Sequence, residues 1–271
     1  MSVVEAPQGV RLEALTSYLL RNQVTSILVW GLALGLLNVL TVLVFPAFKD
    51  TINSELAHIP PSARALFGAQ ETGSTIRSWL ALNTFNLLAP LALSFYPILI
   101  GARAIAGREE SGSMDLLLSN PLPRRLLIAA TLLTMGISLL AILVIFGLLT
   151  WLPTLPINVH LTVASTAAAV LNLWPLCMVF GAGALLCSAL VRRSTQAIVI
   201  PGAVLFAMYV INALASASRS LRFLQRLSLF FYYDTAIERG IPWTAFIVIS
   251  LLALGLGILA ALAFNRRDVY A

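Results

Sequence analysis

The chain has 271 residues, is 59% hydrophobic and only 10% charged, and carries a net charge of +6. Ordinary soluble domains are about 45–50% apolar and about 25% charged, which excludes a soluble globular fold. The apolar residues fall in long blocks rather than in period-two alternation, and an uncharged block of about 20 residues can cross a bilayer as a helix.

In chain order, Val10–Arg21 comes first. Leu12, Leu15 and Leu19 recur at helical spacing with Arg11 and Glu13 off the stripe, which predicts an amphipathic helix lying in the membrane plane. The first 23 residues are polar, the following apolar run exceeds a signal-peptide core, and no small-residue cleavage site follows it. A retained first span is expected. Six spans are predicted: Val24–Ala47, Trp79–Ala102, Leu126–Leu149, Leu161–Val191, Thr195–Ala215 and Trp243–Phe264. The fourth is overlong, so it leaves the hydrocarbon or tilts, and Pro175 can kink it. Phe48–Ser78, with Pro60-Pro61, is expected to form short outer helices acting as a lid. In Ser216–Ile241, Arg219, Arg222 and Arg226 are spaced for one helical face, predicting an amphipathic helix at the outer surface. The domain reading is an N-terminal cytosolic helix over 1–23, one six-span domain over 24–265 and a cytosolic tail over 266–271.

Six spans put both termini on one side. With termini inside, ten basic residues are cytosolic and seven are outside. The tight loops decide more than the count, because the positive-inside bias acts on short segments near span ends. The loop at Arg192-Arg193 is purely basic, whereas Trp151–His160 has no Lys or Arg and carries Pro153 and Pro156. The expected location is the cell membrane, multi-pass, with both termini cytosolic.

No Asp, Glu, Lys or Arg lies inside any predicted span. Carriers driven by protons or ions usually keep ionisable groups at depth, so an ATPase-independent carrier or channel is disfavoured. The only lysine is Lys49, in Phe48-Lys49-Asp50, so the Gly-Lys-Ser/Thr of a phosphate-binding loop is missing. His58 and His160 belong to outer loops, which leaves no buried Ser–His or metal-ligand set for intramembrane proteolysis. No catalytic residue, metal site, bound cofactor or nucleic-acid partner is expected. Cys177 and Cys187 share one apolar segment and suggest neither a disulfide framework nor a metal site.

Between spans two and three stands Ala106–Arg125, AGREESGSMDLLLSNPLPRR. Ser111 or Ser113 can cap a helix whose early Asp115 suits the positive N-terminal end. Leu116, Leu117 and Leu118 give it an apolar side, and Pro121 and Pro123 stop it. This segment resembles that of the permease subunits of type-2 ABC exporters. There Ala-Gly-Glu-Glu, Gly-Thr-Leu-Glu, Leu-Leu and Pro-Ser-Arg succeed one another at similar spacing. Phe231-Tyr232-Tyr233-Asp234 before Gly240-Ile241-Pro242-Trp243, the ending Phe264 with Arg266-Arg267-Asp268, and Trp30 in span one also match, so the resemblance covers nearly the whole chain. Ser113, Met114 and Asp115 replace the commoner Thr, Leu and Glu, and Ile128-Ala129-Ala130 stands where the family often has Lys.

The resemblance implies an all-α polytopic membrane protein with six transmembrane helices, an N-terminal in-plane helix and a cytosolic coupling helix between spans two and three. It implies ATPase coupling through Arg108, Glu109, Glu110, Met114, Asp115, Leu116, Leu117, Leu118, Arg124 and Arg125. It also implies two copies of a separate ABC ATPase, which would hold the ATP and magnesium, and a second permease copy or paralogue. The expected function is export of a lipophilic or amphipathic cargo by alternating access; a secondary carrier or a membrane scaffold is the alternative. Asn83, Asn86 and Ser94 on span two, with Phe206, Tyr209 and Asn212 on span five, either border a central cargo path or bond neighbouring helices. Gly31 and Gly35 form a small-xxx-small pattern that serves either a dimer interface or packing within one subunit.

Overall fold

The computed structural model describes residues 8–58, 76–112, 123–157, 161–217, 222–233 and 236–266. Among these residues every regular element is a helix, and six helical segments are long and apolar enough to cross a membrane. They are Gly9–Ala47, Ile76–Glu110, Arg124–Thr154, Val163–Leu190, Ser194–Ser216 and Trp243–Arg266, here spans one to six. Each overlaps one apolar block read from the sequence. The physical reason is general: without water to bond, every backbone N–H and C=O in hydrocarbon must be paired within its own helix.

Span four is the hub. In its most apolar stretch 72% of residues are buried, against 22% in spans one and six and 17% in span five. Those three spans show Leu28, Leu36, Val199, Phe206, Leu251 and Ile258 on the outside of the bundle, a face suited to lipid rather than water. Spans two, three, five and six all pack on span four.

Two close approaches set the bundle. Spans two and four cross at Gly101 and Gly181. A Cβ on Gly101 would stand 2.4 Å from the Gly181 carbonyl oxygen and 2.8 Å from the Leu185 nitrogen. One on Gly181 would meet Pro97 Cβ at 2.5 Å and Met135 Sδ at 2.6 Å. Spans one and three meet at Gly31, under Ile145, and Gly35, under Leu149. Both of these glycines are buried inside the chain, which is the second of the two roles read for them. The small-xxx-small pattern is used to bring two helices of one subunit together.

A polar link crosses the same interface. Asn38, 0% exposed, donates from Nδ2 to Thr150 Oγ1 at 2.5 Å and accepts from Thr84 Oγ1 at 2.6 Å. Spans one, two and three are thereby joined, and the amide and both hydroxyls are satisfied in an apolar interior where orphans are costly.

Two expectations need correction. Val10–Arg21 is not a separate element: Gln8–His58 is one helix, continuous into span one and past Pro46. No glycine or proline lies between Val10 and Trp30, so nothing in the chain breaks the helical hydrogen bonding there. Span one ends at Ala47 as expected, while the helix itself continues to His58, and Pro60-Pro61 lies outside the described residues. Beyond span five, the described residues form Arg222–Gln225, Leu229–Tyr233 and Ala236–Arg239 rather than one continuous amphipathic helix, and Arg219 lies outside them. Ser228 causes one break: its Oγ donates to the Met208 carbonyl at 2.7 Å and accepts from the Phe230 N–H at 3.2 Å. It therefore starts a new helix and pins it to span five.

Candidate coupling site and cargo path

Span two is not a uniform α-helix. Ala81–Leu88 and Arg103–Gly107 are π-helical, with Ala89–Ala102 α-helical between them. Short π segments disturb the backbone ladder and recur at functional sites. At the second one, Ser188 of span four repairs the ladder. Its Oγ donates to the Ala102 carbonyl at 2.8 Å and accepts from the Ala106 N–H at 2.9 Å and the Ile105 N–H at 3.3 Å. Ser188 is fully buried, so no water can substitute.

The π turn delivers the short helix Arg108–Glu110, which ends at Gly112 with φ +66°, a left-handed conformation suited to glycine. Glu110 reaches across to span five. One carboxylate oxygen accepts from the Ser194 backbone N–H at 3.0 Å, and the other accepts from the Ser194 hydroxyl. Ser194 is the first residue of the helix Ser194–Ala217. An acidic group there pairs an orphan N–H and complements the helix dipole. Glu110→Ala is expected to lower the stability of the folded chain and Glu110→Gln to lower it by less, because Gln keeps an acceptor and loses only the charge. Thermal unfolding in detergent checks this ordering; equal losses would mean that the charge carries the whole contact and the neutral acceptor none of it.

The other candidates separate. Arg124 donates from Nη1 to the Phe264 carbonyl at 3.2 Å, with its guanidinium 5.3 Å from the Phe264 ring centroid. It ties the start of span three to the end of span six, a favourable place for a cation. Arg125 is exposed, Glu109 is half-buried, and Arg108 turns toward a cavity between spans one, two and three. Met114, Asp115, Leu116, Leu117 and Leu118 lie outside the described residues, as does Ser113. Ser111 donates to the Arg108 carbonyl at 3.2 Å and so closes the preceding helix.

On the cargo side, Asn83 is exposed and donates to the Trp79 carbonyl at 3.0 Å, while Asn86 is half-buried. Phe206 is 61% exposed on span five. Tyr209 packs edge-on against Phe230, with centroids 5.6 Å apart. Asn212 is half-buried, and its side-chain oxygen makes no hydrogen bond among the described residues. Ser94 is the exception. It is fully buried, donates to the Pro90 carbonyl at 2.6 Å and lies 3.4 Å from Cys177 Sγ of span four. It faces the interior of the subunit, where it meets the neighbouring span four.

Residues 20–269 match a family described as ABC-2 family transporter protein. The chain belongs to that family. No curated protein matches it. As an ABC-2 family member with six apolar spans, it is a multi-pass membrane protein and a permease subunit, and the family implies partnership with an ABC ATPase. Ser188 and the π turn escaped sequence reading, because a lone serine in an apolar block has no pattern that names its partner.

Proposed function

We propose that this permease subunit works in an ATP-driven exporter of lipophilic or amphipathic cargo. Two copies, or one copy and a paralogue, pair in the cell membrane with both termini cytosolic. Two ATPase subunits, which hold the ATP and magnesium, dock beneath. The family match over residues 20–269 carries this reading. The uncharged spans support it, because they leave the driving energy to come from outside the membrane.

In this mechanism the segment around Asp115 and Leu116–Leu118 seats in the ATPase, with Glu109 and Arg125 at its margin. Closure of the ATPases on ATP displaces that segment. Glu110 then passes the displacement to span five through Ser194, since the two are hydrogen-bonded. Differential affinity of the ATPase pair for two arrangements of the spans supplies the shift between inward and outward exposure. Asn83, Asn86, Phe206, Tyr209 and Asn212 face the path between subunits.

The test is co-purification of the chain with the ATPase in mild detergent, then an ATPase assay. Leu117→Arg puts a charge in the apolar seat, and loss of co-purification or of coupled hydrolysis is expected. A chain that purifies without a nucleotide-binding partner, and is indifferent to Leu117→Arg, would return the carrier or scaffold reading to first place.

A further inference from the structure

A cavity of about 360 Å³ opens between spans one, two and three, at the end of the bundle that carries Glu110. Its size lies within the range of about 300–1,000 Å³ typical of small-ligand sites. Asn22, Ser26 and Trp30 reach it from one face of span one, since residues three to four apart share a helix face. Asn22 and Ser26 are exposed and form the rim; Tyr96, Thr131 and Thr134 are buried and form the floor.

The lining is electropositive. Arg103 and Arg108 both contribute, and no lining residue is acidic. Two guanidinium groups beside amide and hydroxyl donors match a phosphate or carboxylate, which accepts several hydrogen bonds at once. The floor adds an independent observation. Thr134 is 1% exposed, and its hydroxyl makes no hydrogen bond among the described residues. Buried hydroxyls ordinarily have a partner, and this one borders the cavity. The remaining wall, Trp30 with Leu99 and Ile100, is apolar and half-buried. A polar floor with two guanidinium groups nearer the mouth, beside an apolar wall, is the complement of an amphiphile.

We propose that this cavity binds the anionic headgroup of an amphiphile, with the anion on Arg103, Arg108 and Thr134 and the apolar stem against Trp30 and Ile100. The site lies within one chain and invokes neither the ATPase nor the cargo path, so it stands apart from the exporter reading. A phospholipid headgroup and free phosphate share the recognising chemistry; the apolar wall favours the lipid.

The test is native mass spectrometry of the full chain in neutral detergent, titrated with phosphatidylglycerol, phosphatidylcholine or inorganic phosphate. Phosphatidylglycerol is expected to bind about tenfold more tightly than phosphatidylcholine. The combined Arg103→Gln and Arg108→Gln variant should lose that preference. The charge-matched pair Arg192→Gln and Arg193→Gln, exposed in a neighbouring loop, should keep it. Thr134→Val, nearly isosteric, should weaken phosphatidylglycerol binding by roughly threefold without lowering the unfolding temperature. Equal preference in wild type and the Arg103/Arg108 variant, or equal loss in the Arg192/Arg193 control, would overturn the site. Displacement of the lipid by inorganic phosphate at equal concentration would overturn the amphiphile in favour of a soluble anion.

Discussion

Gly101→Ala is expected to lower the stability of the folded chain by about 3 kcal/mol, at the upper end of what overpacking usually costs. The added methyl would collide with the Gly181 carbonyl oxygen and the Leu185 nitrogen, at 2.4 Å and 2.8 Å. Those are backbone atoms of the most buried span, so no side-chain rotation relieves the clash. Spans two and four would have to separate, and the packing between them would open. Gly183→Ala is the built-in comparison. It lies two residues beyond Gly181, and a Cβ there meets nothing within 4 Å. Alanine should be neutral there or stabilising by about 0.5–1 kcal/mol, because it holds helix better than glycine. Unfolding temperatures of both variants in the same detergent decide the matter. Similar losses for the two would mean that helix propensity, not the crossing, governs this region.

The second large effect is expected from Ser188→Ala. One hydroxyl there bonds the Ala102 carbonyl and the N–H groups of Ala106 and Ile105. Its removal leaves buried backbone groups without partners, at a cost of about 1–3 kcal/mol. The chain can recover them by returning Arg103–Gly107 to α-helical bonding. That change rotates the short helix Arg108–Glu110 by about 100°, the angle of one residue. Glu110 would then turn away from Ser194, and the bond between the segment after span two and the start of span five would break. The signature is energetic coupling between distant positions. Ser188→Ala and Glu110→Ala together should cost less than the sum of their separate effects, by about 0.5 kcal/mol or more. Strict additivity would show that the π turn keeps its form without Ser188.

The membrane architecture was legible in the sequence unaided. Block length and the missing charges specify how many helices cross, because hydrocarbon penalises every unpaired polar group and admits few alternatives. The family was legible for a related reason. The polar residues between spans two and three, and those at the tail, are few against an apolar background, so their order stands out.

The partners of individual side chains emerged only from packing. Gly31 and Gly35 read equally well as a contact between copies or within one chain until Ile145 and Leu149 were seen above them. Glu110 and Arg124 read as one charged surface for an ATPase, yet each meets a helix terminus of the same chain. Ser94 groups with Asn83 and Asn86 on span two in the sequence, but the π-helical stretch Ala81–Leu88 interrupts the regular 3.6-residue period that would put them on one face. The cavity lined by Arg103 and Arg108 was hidden for the same physical reason. Asn22 and Ser26 flank the start of the first apolar block, and Arg103 comes just after the second; only packing makes one surface of them. Helix formation in lipid is local and is dictated by composition. Which face meets which neighbour depends on contacts between residues far apart in the chain, and a single sequence does not encode those as a pattern.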